Sequence, residues 1–363
     1  MKSRSKPKHP IPAAPARPRD NNFGFLRVFF SALVIVSHSS HMLDHGGYTH
    51  EPLWRIFHTQ TLGDLAVDGF FLISGYLVTK SFMQTKSLAS FLAKRVLRIY
   101  PAYLLAFWAS ILIILPYATA QNPVLTWPVL LHQLGRWPLL LEPDPPMNGL
   151  PFTELNLSMW TLGYEFRLYL MVAFLGLIGA FAARWRAAVP AGAALLLALH
   201  VAAVGTATAD ADPVTMNFLR LGGIFGFGMS FHLFRENIRL TNKGALIAAA
   251  LLFALCFSLR LIDPAVGICG GYIVFWFART CPVLRLSRFT NQTDISYGLY
   301  LYACPVQILL IATNPTINCW LLTVLTLPLA GLLGLISWTA LEKPALAFAH
   351  RFHAKPAPAL KRK

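Results

Sequence analysis

Apolar residues run along most of this chain in stretches of about twenty, broken by short polar turns. An α-helix crosses the hydrocarbon core of a bilayer in about 20 residues. The pattern therefore predicts ten spans: roughly 23–43, 62–83, 96–116, 157–183, 187–206, 215–234, 244–262, 264–280, 294–313 and 318–341. The least marked boundary is Ile262-Asp263-Pro264, which barely separates two of them. Basic, Pro-rich ends flank the apolar part, so residues 23–343 read as one membrane domain between tails at 1–22 and 344–363. The first tail lacks the apolar core and cleavage site of a signal peptide and is expected to be disordered. The predicted fold is all-α, a polytopic helical membrane bundle of about ten transmembrane helices.

Composition sharpens this picture. The chain has 363 residues, of which 56% are hydrophobic and 13% charged. Those proportions exclude a soluble enzyme and a disordered chain. A formal charge of +16 would suggest nucleic acid in a soluble protein. Here the cations sort by side instead. Six Lys/Arg lie in 1–22, six in 343–363, and twelve in the turns at 84–98, 184–186, 235–243 and 279–288, against Arg55, Arg136 and Arg260 across the membrane. The positive-inside rule puts both termini in the cytoplasm, and no nucleic-acid partner is expected. The five cysteines fall in or beside apolar segments without metal-ligand spacing, so neither a metal nor a disulfide framework is expected.

Further ionisable groups lie inside or at the ends of spans, where they are costly and are functional candidates. Arg27 and His38 are eleven residues apart on the first span. They share a face and stand ~16 Å apart along the axis. His38, Asp68 and Glu165 each count to ~7–12 Å below the outer surface, which suggests a shared water-accessible cavity. On the inner side, Lys94, Arg95 and Arg98 open the third span, with Arg95 and Arg98 on one face. Arginine suits forked phosphate contacts, so this side reads as a phosphate-ready mouth. Each feature has a plainer counterpart. Basic helix ends anchor on headgroups, a membrane histidine can satisfy an interhelical hydrogen bond, and Asp68 or Glu165 could pair with Arg27 or Arg167. His41, His45, His50 and His58 read as solvated loop surface.

Several short blocks resemble the membrane acyltransferase 3 family of O-acyltransferases. Arg27 followed by His38 resembles its Arg-x10-His signature. Asp68-Gly-Phe-Phe-Leu-Ile-Ser74-Gly75-Tyr76, Arg95-Val-Leu-Arg98-Ile-Tyr-Pro101, Trp160-Thr-Leu-Gly-Tyr-Glu165, Ile295-Ser-Tyr297 and Glu342-Lys-Pro344 resemble further blocks in the same order. Ala303 stands where many members have a histidine, and Phe166-Arg167 where many have a second acid. No esterase-type domain follows residue 341, so a second transfer step is expected to need another protein.

The resemblance implies a bacterial inner-membrane enzyme that moves an acyl group, acetyl by default, from cytosolic acyl-CoA to a carbohydrate hydroxyl outside. Acyl-CoA is then a co-substrate, with no permanently bound cofactor and membrane lipid as surroundings. Arg27, Arg95 and Arg98 would hold its phosphates. His38 would act as general base or as nucleophile, with Asp68 or Glu165 orienting its ring. Ser74, Trp160 and Tyr164 are candidates for holding the acceptor or polarising the carbonyl. The alternative is a proton-coupled secondary transporter or flippase, with His38, Asp68 and Glu165 as a relay; no internal repeat supports it.

Overall fold

The computed structural model describes residues 21–85, 87–119, 125–145, 154–206 and 212–352, which are helical with no strand among them. The basic stretches 1–20 and 353–363 lie outside the described residues.

Eleven helices carry the architecture: α1 Phe23–Leu43, α2 Leu62–Gln84, α3 Leu88–Ala109, α4 Trp127–Arg136, α5 Trp160–Leu177, α6 Ala188–Thr206, α7 Pro213–Leu233, α8 Asn242–Leu255, α9 Gly271–Thr280, α10 Ser296–Thr313 and α11 Cys319–Ser337. π turns, each carrying an extra residue, extend α3 over Ser110–Ile114, precede α9 at Val266–Gly270, and extend α11 over Trp338–Glu342. A helix stands in each of the ten expected segments. Six are long and apolar enough to cross a membrane: α1, α2, α3 with its extension, α6, α10, and α11 with its extension. The protein is a multi-pass membrane bundle.

Local chemistry fixes where helices begin. Thr61 and Asp64 form a reciprocal capping box for α2. Ser87, Thr241 and Asn318 cap α3, α8 and α11, and Asp212 before Pro213 caps α7. The start of α1 is held differently. Fully buried Asn22 donates from its side chain to the Phe277, Cys281 and Pro282 carbonyls and accepts from Leu284 N–H and Ser287 Oγ. One amide thus ties α1 to the end of α9 and the turn that follows.

Helices α1, α2 and α10 form the buried centre, while α6, α8 and α11 present apolar faces outward. The α2–α7 crossing is backbone on backbone. A Cβ at Gly75 would lie 2.1 Å from the Phe225 carbonyl oxygen, and one at Gly228 2.1 Å from that of Leu72. Small residues permit this approach where no solvent-driven force presses helices together.

Three boundaries differ from expectation. Helix α3 starts at Leu88, not 96, because Ser87 caps it, so Arg95 and Arg98 lie inside the helix rather than opening it. Helix α8 stops at Leu255, and helical structure resumes only at Ile262. The expected tail at 344–363 begins as helix, since Lys343–Phe352 continues from α11 and packs against α3, with Ala349 buried.

Candidate active site

A cleft of about 520 Å³ opens at the His38 end of the bundle. The last turns of α1 bring Ser37 and His38 to it, α2 brings Asp64, α5 brings Trp160, α7 brings Arg220, and α10 brings Tyr300. The loop between α1 and α2 covers it with Tyr48, Thr59 and Gln60. That loop is pinned at both ends. Asp44 accepts from Ser40 Oγ, His50 N–H and His50 Nδ1, and buried Glu51 accepts N–H bonds from Trp54 (2.7 Å) and Leu62 (2.6 Å). Burial pushes the Glu51 carboxyl above its ordinary value despite these N–H bonds.

His38 is 9% exposed and lines the cleft, and its Nδ1 has no hydrogen-bond partner among the described residues. A buried polar atom without a partner is unusual and needs a reason. Neither candidate carboxylate supplies one. Asp68 is fully buried beside the cleft, but its oxygens accept from Arg220 (2.7 Å) and Gln60 Nε2 (3.0 Å). It is committed to Arg220 rather than orienting His38. Arg220 lies 3.9 Å from Asp64 and 3.8 Å from Asp263, and Asp263 in turn meets His200 Nε2 at 3.0 Å.

Glu165 does not share the depth of His38. It accepts from Ser74 Oγ at 3.0 Å and from Tyr169 OH. Ser74 is six residues beyond Asp68 on α2, ~9 Å further along the axis. The cause is the start of α5. Residues Leu155, Asn156 and Ser158 are already buried before the helix begins. Pro305 has no N–H to give the Leu301 carbonyl, which instead accepts from Asn156 Nδ2 at 3.1 Å. Leu157 N–H meets Cys304 Sγ at 3.3 Å. Helix α5 therefore begins inside the bundle, and a count from an outer surface places Glu165 too shallow. Of the three expected acceptor residues, Trp160 lines the cleft, Ser74 belongs to the Glu165 cluster, and Tyr164 packs between Trp160 and Arg167.

At the Arg27 end the expected arginines do meet, but as ion pairs. Arg27 and Arg98 share Asp294, Arg98 to Oδ2 at 2.7 Å. Arg98 also holds fully buried Glu342 at 3.1 Å, and Arg27 Nε donates to Ser296 Oγ at 3.3 Å. Two cations face two carboxylates, so this is a compensated cluster rather than an open phosphate mouth. Arg95 stands apart. Its guanidinium lies over the Phe91 and Tyr169 rings and donates to Ser81 Oγ at 3.2 Å, with no carboxylate at ion-pair distance among the described residues. Through Tyr169 it adjoins Glu165 and Ser74.

Sequence reasoning missed Arg220, Gln60, Asp263, His200 and Asp294. Arg220 carried a signal, an arginine within a span, as did Asp294, two residues before Ser296.

Two features thus stand along α1: a cleft holding an unengaged imidazole, and an arginine cluster toward the other end. Residues 20–343 match the family described as an acyltransferase domain. The chain belongs to this acyltransferase 3 family. The acyltransferase is 26% identical over 345 residues to an O-acetyl transferase of Shigella phage Sf6, covering 90% of this chain and 96% of that protein. It is 29% identical over 359 residues to nodulation protein 10 of Rhizobium leguminosarum bv. viciae, covering 90% and 93%. A shorter stretch of 119 residues is 32% identical to acyltransferase MdmB of Streptomyces mycarofaciens, covering 32% and 29%. No solved structure matches the acyltransferase.

Proposed function

We propose that this acyltransferase moves an acetyl group from acetyl-CoA, arriving at the Arg27 end, to a carbohydrate hydroxyl bound in the cleft at the His38 end. The observation that carries the reading is His38, nine-tenths buried, lining the cleft and unengaged at Nδ1. Family membership supports acyl transfer, and the printed name of the phage relative supports acetyl. The helix order is compatible with ten crossings, and the cation count favours cytoplasmic termini in a bacterial inner membrane.

In this mechanism His38 takes the proton from the acceptor hydroxyl as its oxygen attacks the thioester carbonyl. The tetrahedral intermediate collapses, the C–S bond breaks, and the imidazolium returns its proton to the CoA thiolate. An ester and free CoA result. The pantetheine arm is comparable in length to the ~16 Å between Arg27 and His38. The CoA phosphates would compete with Asp294 for Arg27 and Arg98, and Arg95 would lie beside the path. A variant route has His38 accept the acyl group and pass it on. The relay reading is disfavoured, because neither Asp68 nor Glu165 hydrogen-bonds His38.

The test is acceptor-dependent release of CoA from acetyl-CoA by the purified protein. His38→Ala is expected to lower it by roughly 10²–10⁴. A correctly inserted His38→Ala protein with full transfer would exclude both routes.

A further inference from the structure

Resting on the transferase reading, we infer that the cleft selects a glycosyl unit without acidic groups, held through the carboxylates of Asp64 and Asp263. Four charged groups meet at its wall: Asp64, Arg220 and Asp263 line the cleft, and fully buried Asp68 lies behind them. Arg220 and Asp68 contact at 2.7 Å and cancel. Asp64 and Asp263 stand nearly 4 Å from the same guanidinium and both line the cleft. The wall thus keeps a surplus of negative charge.

Each carboxylate has lone pairs to offer. Asp64 uses Oδ2 in the α2 capping box, accepting from Thr61 N–H and Oγ1, while Oδ1 faces Arg220 only at 3.9 Å. Asp263 uses Oδ2 for His200 and leaves Oδ1 3.8 Å from Arg220. Ionised carboxyls accept and cannot donate, and hydroxyl pairs on a sugar ring give them charge-assisted hydrogen bonds. Trp160 and Tyr48 line the same cleft and offer apolar faces to the C–H side of a ring. A volume near 520 Å³ falls within the ~300–1,000 Å³ of small-ligand sites. His38, nine-tenths buried and without a hydrogen-bond partner for Nδ1, lines the same cleft, and its ring marks the end toward which the reacting hydroxyl would lie. A uronic or sialic acid would bring its own carboxylate against this wall, and like charges so placed select against a partner.

The first test reads the sign of the cleft without using catalysis. Asn217→Cys places a thiol on the lining, and a cationic and an anionic methanethiosulfonate of similar size are compared, with the protein lacking Asn217→Cys as background. With each rate divided by that reagent's rate with a small free thiol, the cationic reagent is expected to react at least tenfold faster. Adding Asp64→Asn and Asp263→Asn, which keep an acceptor oxygen for Thr61 and His200, should bring the ratio severalfold closer to one. Equal rates, or faster anionic labelling, would overturn the inference.

The second test compares CoA release from acetyl-CoA with methyl glucoside and methyl glucuronide as acceptors. The glucoside should be favoured at least tenfold, and the double aspartate variant should narrow the gap. Preference for the glucuronide would overturn this inference and leave the transferase reading intact. The expected labelling ratio, together with no transfer to any hydroxyl, would uphold the sign of the cleft and defeat the transferase reading.

Discussion

The α2–α7 crossing offers a perturbation whose size follows from geometry. In Gly228→Ala the new Cβ would sit 2.1 Å from the Leu72 carbonyl oxygen and 3.1 Å from Leu72 Cα. Carbon-to-oxygen contacts between helices settle at about 3.3–3.6 Å, so the backbones must part locally by roughly 1.2 Å. The obstructing atom is helix backbone, so no rotamer change relieves it. Overpacking usually costs 1–3 kcal/mol, and this site belongs at the top, about 3 kcal/mol. That corresponds to about two orders of magnitude in the ratio of folded to unfolded protein. Gly75→Ala strikes the same crossing from the other helix, 2.1 Å from the Phe225 oxygen. One separation relieves both, so the double variant should cost clearly less than the sum of the singles. Gly135→Ala is the control: its Cβ meets nothing within 4 Å inside α4, and it should be neutral or slightly stabilising. Reversible denaturation in detergent, followed by tryptophan fluorescence, measures all four proteins. Wild-type stability of Gly228→Ala, or full additivity of the pair, would refute the reasoning.

Other expectations follow from the ion clusters. Arg220→Gln strips fully buried Asp68 of its guanidinium partner and should cost about 3–5 kcal/mol; the double variant with Asp68→Asn should recover much of it in the same assay. Asp294→Asn removes the carboxylate shared by Arg27 and Arg98. It should cost about 3 kcal/mol, the low end of that range, because Glu342 still holds Arg98. At Asp44, burial raises the carboxyl pKa, but the His50 backbone and ring and the Ser40 hydroxyl outweigh it and hold it below 3.8. Its folded value is therefore depressed, so its contribution is complete above the ordinary value and is lost as pH falls through the lowered one. Protection of the His50 amide against hydrogen exchange, relative to the intrinsic rate at each pH, should fall on acidification through that window, and Asp44→Asn should abolish the change.

What the sequence made legible was local. Apolar runs located a helix in every expected segment, and the Arg27–His38 spacing survives because both residues lie on the uninterrupted helix α1. What it hid depended on partners distant along the chain. Asp68 and Arg220 are 152 residues apart, and Arg98 and Asp294 196 apart, so periodicity could not pair them. Glu165 was misjudged for a related reason: the depth of α5 is set by Asn156 reaching a carbonyl that Pro305 leaves free on another helix. Asn22 reads as an ordinary polar residue before a span, yet it joins the start of α1 to the end of α9 and the turn after it.

The brevity of α8 has a consequence for the surrounding lipid. Its 14 residues rise ~21 Å, roughly 9 Å short of a 30 Å hydrocarbon core. Leu246, Ile247 and Phe253 are exposed and give α8 an apolar outer face. Where a helix this short crosses a membrane, the mismatch is met by thinning of the bilayer, by snorkelling of flanking residues or by oligomerisation. The residue after the helix, Cys256, accepts on its carbonyl from Thr59 Oγ1 of the loop that covers the cleft. Movement of the end of α8 is therefore transmitted through Thr59 to the loop that covers the cleft.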